Sequence, residues 1–261
     1  MTTHTLFVKT STPRQMRQIG DMLRLPFEDL DANVKVVGTI ADRWVQIDVS
    51  GEDEAIATNY LAKEFNFCPT TFENLPKDGD VKGYVVDLGK KAEEIDVDIG
   101  VFQPTIVHAH VSLRHLQDQL VDGDKLALKK IVELFGFCDD LPVNIEITTI
   151  NEAESRIEAE LSATQVERVV SWQESLLDRL IVIGASQHEI RKTLNLMGLS
   201  RDVIAVESLG TFEHALTCKL GTDAAGLIRN LGRNLKRATF TVFNPRKIRQ
   251  FRSPPFSKIA E

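Results

Sequence analysis

Residues Val81–Leu113 read VKGYVVDLGKKAEEIDVDIGVFQPTIVHAHVSL, and the alternation in this stretch decides the architecture of the middle of the chain. Val97, Ile99 and Val101 fall on one side of an extended segment, with Asp96 and Asp98 on the other. Val107, Ala109 and Val111 likewise oppose His108 and His110. Three strands are predicted here, followed by a short helix over RHLQDQL. After a loop, PVNIEITTINEAESRIEAELS (142–162) supplies two more strands. Five short strands with a helix between the third and fourth form the layout of a small barrel.

Working outward, the N-terminal segment opens with the apolar strand LFVK. Thr12 is placed to cap a helix whose first turn holds Pro13, with Met16, Ile19 and Leu23 at helical spacing. VKVVGTI and WVQIDV are predicted strands. A helix starting at Ser50 or Gly51 is predicted to bury Ile56, Tyr60 and Leu61. The order is β-α-β-β-α. The last third repeats it: LIVIG, a helix over SQHEIRKTLNLMG, strands in DVIAVESL and HALTCKLG, a helix over TDAAGLIRNLGRNL, and the closing strand ATFTVF. That β-α-β-β-α-β order is the split arrangement of a ferredoxin-like sandwich, a four-stranded antiparallel sheet with two helices on one face. Gly51 and Gly221, each just before the second helix, add to the impression of a duplicated unit. The resulting domains are an N-terminal α+β domain (1–69), a linker (70–80), a barrel (81–162), a connecting helix (163–179), a C-terminal domain (180–244) and a basic arm (245–261). Pro245, Pro254 and Pro255 discourage regular structure in the arm.

Charge follows this division. The chain carries a formal charge of −7, yet residues 71–162 hold 9 basic and 19 acidic side chains, whereas 163–261 hold 15 basic and 9 acidic. From Ala224 to Ala260 there is no Asp or Glu. The cations of that end are Arg229, Arg233, Lys236, Arg237, Arg246, Lys247, Arg249, Arg252 and Lys258, interleaved with Phe240, Phe243, Phe251 and Phe256. Arg229 and Arg233 are four apart and share a helix face. Arg and Lys neutralise phosphates and aromatic rings stack on unpaired bases, so these nine cations are the candidate nucleic-acid contacts. Other readings of the same stretch are docking on an acidic surface and plain solubility, with Phe240 and Phe243 serving the core.

Asp96, Asp98, His108 and His110 form a second constellation, with ligand types that suit a divalent metal. A solvated strand pair looks the same, and no metal or cofactor is assigned. Ser186 is expected to be an ordinary N-cap and not a phosphate turn. His214 and Cys218 share a strand face but lack a carboxylate at a readable spacing. Cys68, Cys138 and Cys218 lie too far apart for a zinc pair and are expected as buried thiols, and Trp44 and Trp172 as core or interface anchors.

The barrel segment resembles the S1-type RNA-binding subgroup of OB folds: GDVKGYVVDLG is similar to its first strand, IDVDIGV to its second, HAHVSLRHL to its third leading into the helix, VNIEITTI to its fourth and RIEAELS to its fifth. It departs from that pattern in the enlarged acidic stretch between the third and fourth strands. It also lacks the exposed Phe and His pair with Lys and Arg that usually marks the RNA face. The whole chain further resembles an uncharacterised archaeal family through TFEHALTCKLGTDAAGLIRN and VFNPRKI. Members of that family tend to be encoded beside a general transcription factor, which implies an informational role. The fold class expected is therefore α+β and multi-domain, with ferredoxin-like α/β sandwiches flanking a central S1-like OB β-barrel.

No signal peptide or membrane-length apolar run is visible, so a cytoplasmic protein without membrane partners is expected. Nothing assembles a nucleophile, base and oxyanion site. The function expected is non-catalytic: an RNA-binding or ribonucleoprotein-associated factor in archaeal transcription or translation, contacting RNA or single-stranded DNA through the basic end. The alternatives are an adaptor that docks its acidic barrel on a large protein or ribonucleoprotein assembly, and a metal-dependent nucleic-acid enzyme.

Overall fold

The computed structural model describes residues 1–76 and 79–252. They divide into two compact units, residues 1–75 with 99–108, and residues 76–98 with 109 onward.

In the first unit, β1 (Thr2–Lys9) leads into α1 (Pro13–Arg24), β2 (Asn33–Ile40), β3 (Trp44–Ser50) and α2 (Glu54–Phe65). The sheet is antiparallel in the order β1-β3-β2. Helix α1 begins where its sequence dictates. Extended Thr12 accepts a hydrogen bond from the Gln15 backbone N–H at 3.2 Å, and the Gln15 side chain accepts from Thr12 N–H at 3.0 Å. Helix α2 starts later than expected, at Glu54, because Gly51 is a turn residue with φ +122°, where a Cβ would sit 2.1 Å from the Asp31 carbonyl. Its buried stripe is also rotated: Ala57 and Leu61 face the sheet, while Ile56, expected inside, is 55% exposed. The small Ala57 lets the helix lie close to β1 and β3, and Tyr60 turns edge-on to Phe27, 5.4 Å between ring centres.

After α2 the chain returns to β1. Phe67 forms a single antiparallel bridge with Leu6, supported by Phe7 N–H to Asn66 O at 3.0 Å and Cys68 N–H to Thr5 O at 2.9 Å. The edge of β1 thus receives one bridge instead of a fourth strand. Leu6, Val8, Ile19, Val45, Ile47, Val49 and Leu61 form the core.

The elements that follow are β4 (Val81–Val86), β5 (Glu94–Val101), β6 (Val107–Ser112), α3 (Leu113–Val121), α4 (Leu128–Phe135), β7 (Pro142–Asn151) and β8 (Arg156–Leu161), all in the second unit apart from residues 99–108 of the β5–β6 pair. The five strands close into a barrel in the order β4-β5-β6-β8-β7, with β6 and β8 parallel. Val85, Val97, Ala109, Val111, Val143, Ile145, Ile157 and Ala159 are buried; in β6, β8 and the start of β7 they alternate with more exposed polar residues, whereas β5 is buried along its whole length after Glu94. Two helices, not one, separate the third and fourth strands. The break falls at Asp122 and Gly123, both at positive φ.

Next come α5 (Ala163–Glu174), β9 (Arg179–Ile183), α6 (Gln187–Leu196), β10 (Val203–Ser208), β11 (Glu213–Cys218), α7 (Ala224–Asn234), β12 (Thr239–Phe243) and α8 (Pro245–Arg252). Their sheet is antiparallel in the order β10-β11-β9-β12. One face holds Leu180, Val182, Leu216 and Cys218 against Ile190, Leu194, Leu227 and Leu231 of α6 and α7. The other face is covered too. Phe243 meets Trp172 of α5 edge-on at 5.2 Å and Phe135 of α4 at 6.4 Å, and every residue of β9 and β11 is buried. The barrel and the C-terminal sheet therefore share a core. Helix α4 ends on Gly136, φ +68°, where a Cβ would stand 3.0 Å from the Val242 carbonyl. Gly136→Ala is expected to lower the stability of this unit by about 1–2 kcal/mol, read as a shift in the urea midpoint, through the left-handed backbone and the tight approach.

Candidate nucleic-acid interface

Helix α7 starts at Asp223, whose carboxylate accepts the Ala225 N–H at 3.1 Å. Ala224, Leu227 and Leu231 face the sheet, which sends Arg229 and Arg233 to solvent one turn apart. Lys236 and Arg237 lie exposed in the turn before β12.

Beyond β12 the expected free arm is instead a helix up to Arg252. Pro245 occupies the first turn, where its fixed φ favours a helix, and the Asn244 side chain accepts the Lys247 N–H at 3.0 Å. Ile248, 1% exposed, anchors α8, which packs on α5 and α4. Arg246, Lys247 and Arg249 point outward. Arg252 closes the helix, and Lys258 lies outside the described residues.

Among the described residues, these seven exposed cations form no ion pair, whereas several cations elsewhere in the protein do. Lys9 binds Asp42 at 2.7 Å, Arg156 binds Glu94 at 2.8 Å and Arg168 approaches Glu207 at 3.7 Å. Helix α8 is anchored on α4 and α5 by the buried Ile248, with Lys130 of α4 over the Phe251 ring. Of the interleaved aromatics, Phe243 is fully buried and Phe240 packs against the α6 and α7 core, whereas Phe251 is 42% exposed beside Lys130. Phe256 lies outside the described residues.

The β5–β6 pair brings together only part of the candidate metal set. His110 Nδ1 lies 2.6 Å from Asp96, and Glu94, one pleat further along β5, joins them. Lys91 Nζ sits among them, donating to Glu94 at 2.7 Å and Asp96 at 2.9 Å, and Arg156 closes the network through Glu94 and Glu158. Burial works against ionisation of both Glu94 and Asp96. The hydrogen bonds from Lys91, with Arg156 on Glu94 and His110 on Asp96, outweigh it and hold both carboxyls below their usual range. An ammonium group therefore occupies the centre a metal would need. Asp98, expected on a solvated face, is 1% exposed, aligned in register with Tyr84, and is not part of the cluster; nor is His108.

Ser186 is an N-cap, accepting from Glu189 N–H at 3.4 Å. Burial pushes the Cys218 thiol up to about 11 and the partly exposed Cys138 thiol up to about 12, so neither is poised as a nucleophile. Arg179, a single cation within an apolar strand, carries no sequence signal but has a defined place in the fold. Buried without a carboxylate in contact, it donates to Trp172 O, Ser175 Oγ and Leu177 O at the end of α5 and lies over the Trp172 ring. It is a structural clasp.

Models of three domains of one family match the chain in order: the DUF2110 N-terminal domain over residues 1–71, the DUF2110 central domain over 76–173 and the DUF2110 C-terminal domain over 177–243. The chain belongs to the DUF2110 family. No curated protein matches it. In this DUF2110 chain the C-terminal match ends at Phe243, so the cations of α7 and the following turn lie inside it and those of α8 follow it. Among the described residues no helix is long and apolar enough to cross a membrane.

Proposed function

We propose that this chain is a non-catalytic nucleic-acid-binding protein that grips the phosphates of RNA or single-stranded DNA through Arg229, Arg233, Lys236, Arg237, Arg246, Lys247 and Arg249. The observation that carries this reading is the set of seven exposed cations without ion pairs among the described residues, in a segment that contains no carboxylate. A cation already held by a carboxylate has little to gain from a phosphate. One that is solvated releases counterions when it meets one. The barrel is read as an S1-like OB fold and the last domain as ferredoxin-like, in keeping with their strand orders β4-β5-β6-β8-β7 and β10-β11-β9-β12. Both types of domain commonly bind RNA. Here the sheet of the last domain has its second face packed on Trp172 and Phe135, so base stacking on that face is not part of the proposal. Resemblance to an archaeal family encoded beside a general transcription factor supports a cytoplasmic role in archaeal transcription or translation.

The test replaces Arg229, Arg233, Arg246 and Arg249 with Ala in the full chain. None of the four has a buried side chain, so the fold is expected to survive. Binding of a single-stranded RNA is then measured at several salt concentrations. The slope of log K against log salt is expected to shrink by roughly 0.7 for each phosphate that is no longer neutralised, about 3 in all. An unchanged slope and affinity would overturn the proposal.

A further inference from the structure

A cleft of about 610 Å³ lies within the first unit, between β1, β3 and the stretches that follow α2 and β5. His4 and Phe67 line it with their rings stacked, 4.6 Å apart and 10° from parallel, and Phe102 adds a nearly buried third ring. Gln46, Asn74 and Gln103 also line it, and among the described residues none of their three side-chain amides has a hydrogen-bond partner. In a protein with 26% charged residues, the cleft is lined by no Asp, Glu, Lys or Arg. Its walls are held by backbone. Phe67 is bridged to Leu6, and Thr70 O accepts the N–H groups of both Phe102 (3.0 Å) and Gln103 (2.9 Å).

We infer that this cleft binds a single nucleobase-type heterocycle. The rings supply flat apolar area for stacking, and each amide offers a donor and an acceptor side by side, which match the edge of a base. With no Lys or Arg in the lining, the cleft offers a phosphate or a carboxylate no permanent cation, which favours an uncharged ring as the recognised group. Such a ring reaches the cleft either as a free nucleoside or as an unstacked base of a strand. The strand source rests on the proposed nucleic-acid binding; the nucleoside source does not.

The experiment titrates the full chain, isotope-labelled for NMR, with adenosine, guanosine, cytidine and uridine, and separately measures its binding to the four single-stranded homopolymers. Gln46→Ala, Gln103→Ala and Phe67→Ala are compared with the wild type, each checked by its melting curve; the exposed Gln103 keeps the test open if Phe67→Ala unfolds. Binding of at least one nucleoside, weakened about tenfold or more by a variant, supports the inference with a free ligand. Discrimination among homopolymers that the variants abolish, with an unchanged salt slope, supports it with a strand. Folded variants that bind every nucleoside and every homopolymer as the wild type does, including not at all, overturn it. Failure of the phosphate grip instead appears in the salt slope of the Arg229, Arg233, Arg246 and Arg249 variant.

Discussion

Phe243→Ala is expected to cost the second unit about 3–5 kcal/mol. Phe243 is fully buried at the end of β12, edge-on to Trp172 and within 6.4 Å of Phe135. It thus joins three elements, the C-terminal sheet, α5 and α4, through one side chain. Truncation leaves a cavity whose walls belong to the barrel as well as the sheet, and these cannot close on it independently. Urea denaturation followed by circular dichroism checks this. The midpoint is expected to fall sharply while barrel and sheet still unfold together. Phe243→Leu, which keeps most of the volume, is expected to cost less than about 1.5 kcal/mol. A destabilisation below about 1 kcal/mol for the alanine variant would show that the shared core is not what joins the two. The effect reaches the interface, since α8 begins two residues later and rests on the same helices.

The second large effect is an acid limb set by His214. This side chain is 2% exposed on β11, and neither ring nitrogen reaches a hydrogen-bond partner. Burial drives its pKa down to about 4, offset only in part by the nearby backbone of Thr211 and Ala185. Unfolded, the same group titrates near its ordinary 6.5. The folded form therefore binds its proton less readily than the unfolded chain. The stability is complete above pH 6.5 and falls as the pH drops toward 4. At about 1.4 kcal/mol per pKa unit, the decrease across that window comes to about 3 kcal/mol. Melting curves between pH 7 and 4.5 measure it. His214→Phe is expected to flatten the slope in this range, and an unchanged slope would place the acid sensitivity elsewhere. Below about pH 4 a second decrease follows in both proteins, as Glu94 and Asp96, whose folded pKa values are lowered, take up protons.

Local chemistry is legible in the sequence wherever the partners lie within a few residues. Thr12 with Gln15 and Ser186 with Glu189 mark helix starts by spacing alone, and both caps form. The alternation of Val97 and Ile99, and of Ala109 and Val111, identifies inward and outward sides because a strand has period two. Legibility ends where the partner is distant. Arg156 meets Glu94 across 62 positions, and no pattern near either residue announces it. The same limit applies to Asp98, whose polar side of the strand is covered. It applies as well to Pro245, which reads as a breaker by itself although, with Asn244 before it, the residue starts a helix.

The amino-acid sequence by itself determined the order of the strands, the barrel strands, the caps of α1 and α6 and the concentration of cations without carboxylates at one end. These depend on periodicity, local hydrogen bonding and composition, all of which act over a few residues. Only the tertiary structure decided which charges remain available. It engaged Lys91, Arg156 and Arg168 with carboxylates, and left Arg229, Arg233, Lys236, Arg237, Arg246, Lys247 and Arg249 exposed. It also closed the second face of the C-terminal sheet with Trp172 and Phe243 and gathered His4, Phe67 and Gln46 around one cleft. Ion pairing and burial depend on distances in space, and for residues far apart in the chain only the fold sets those distances.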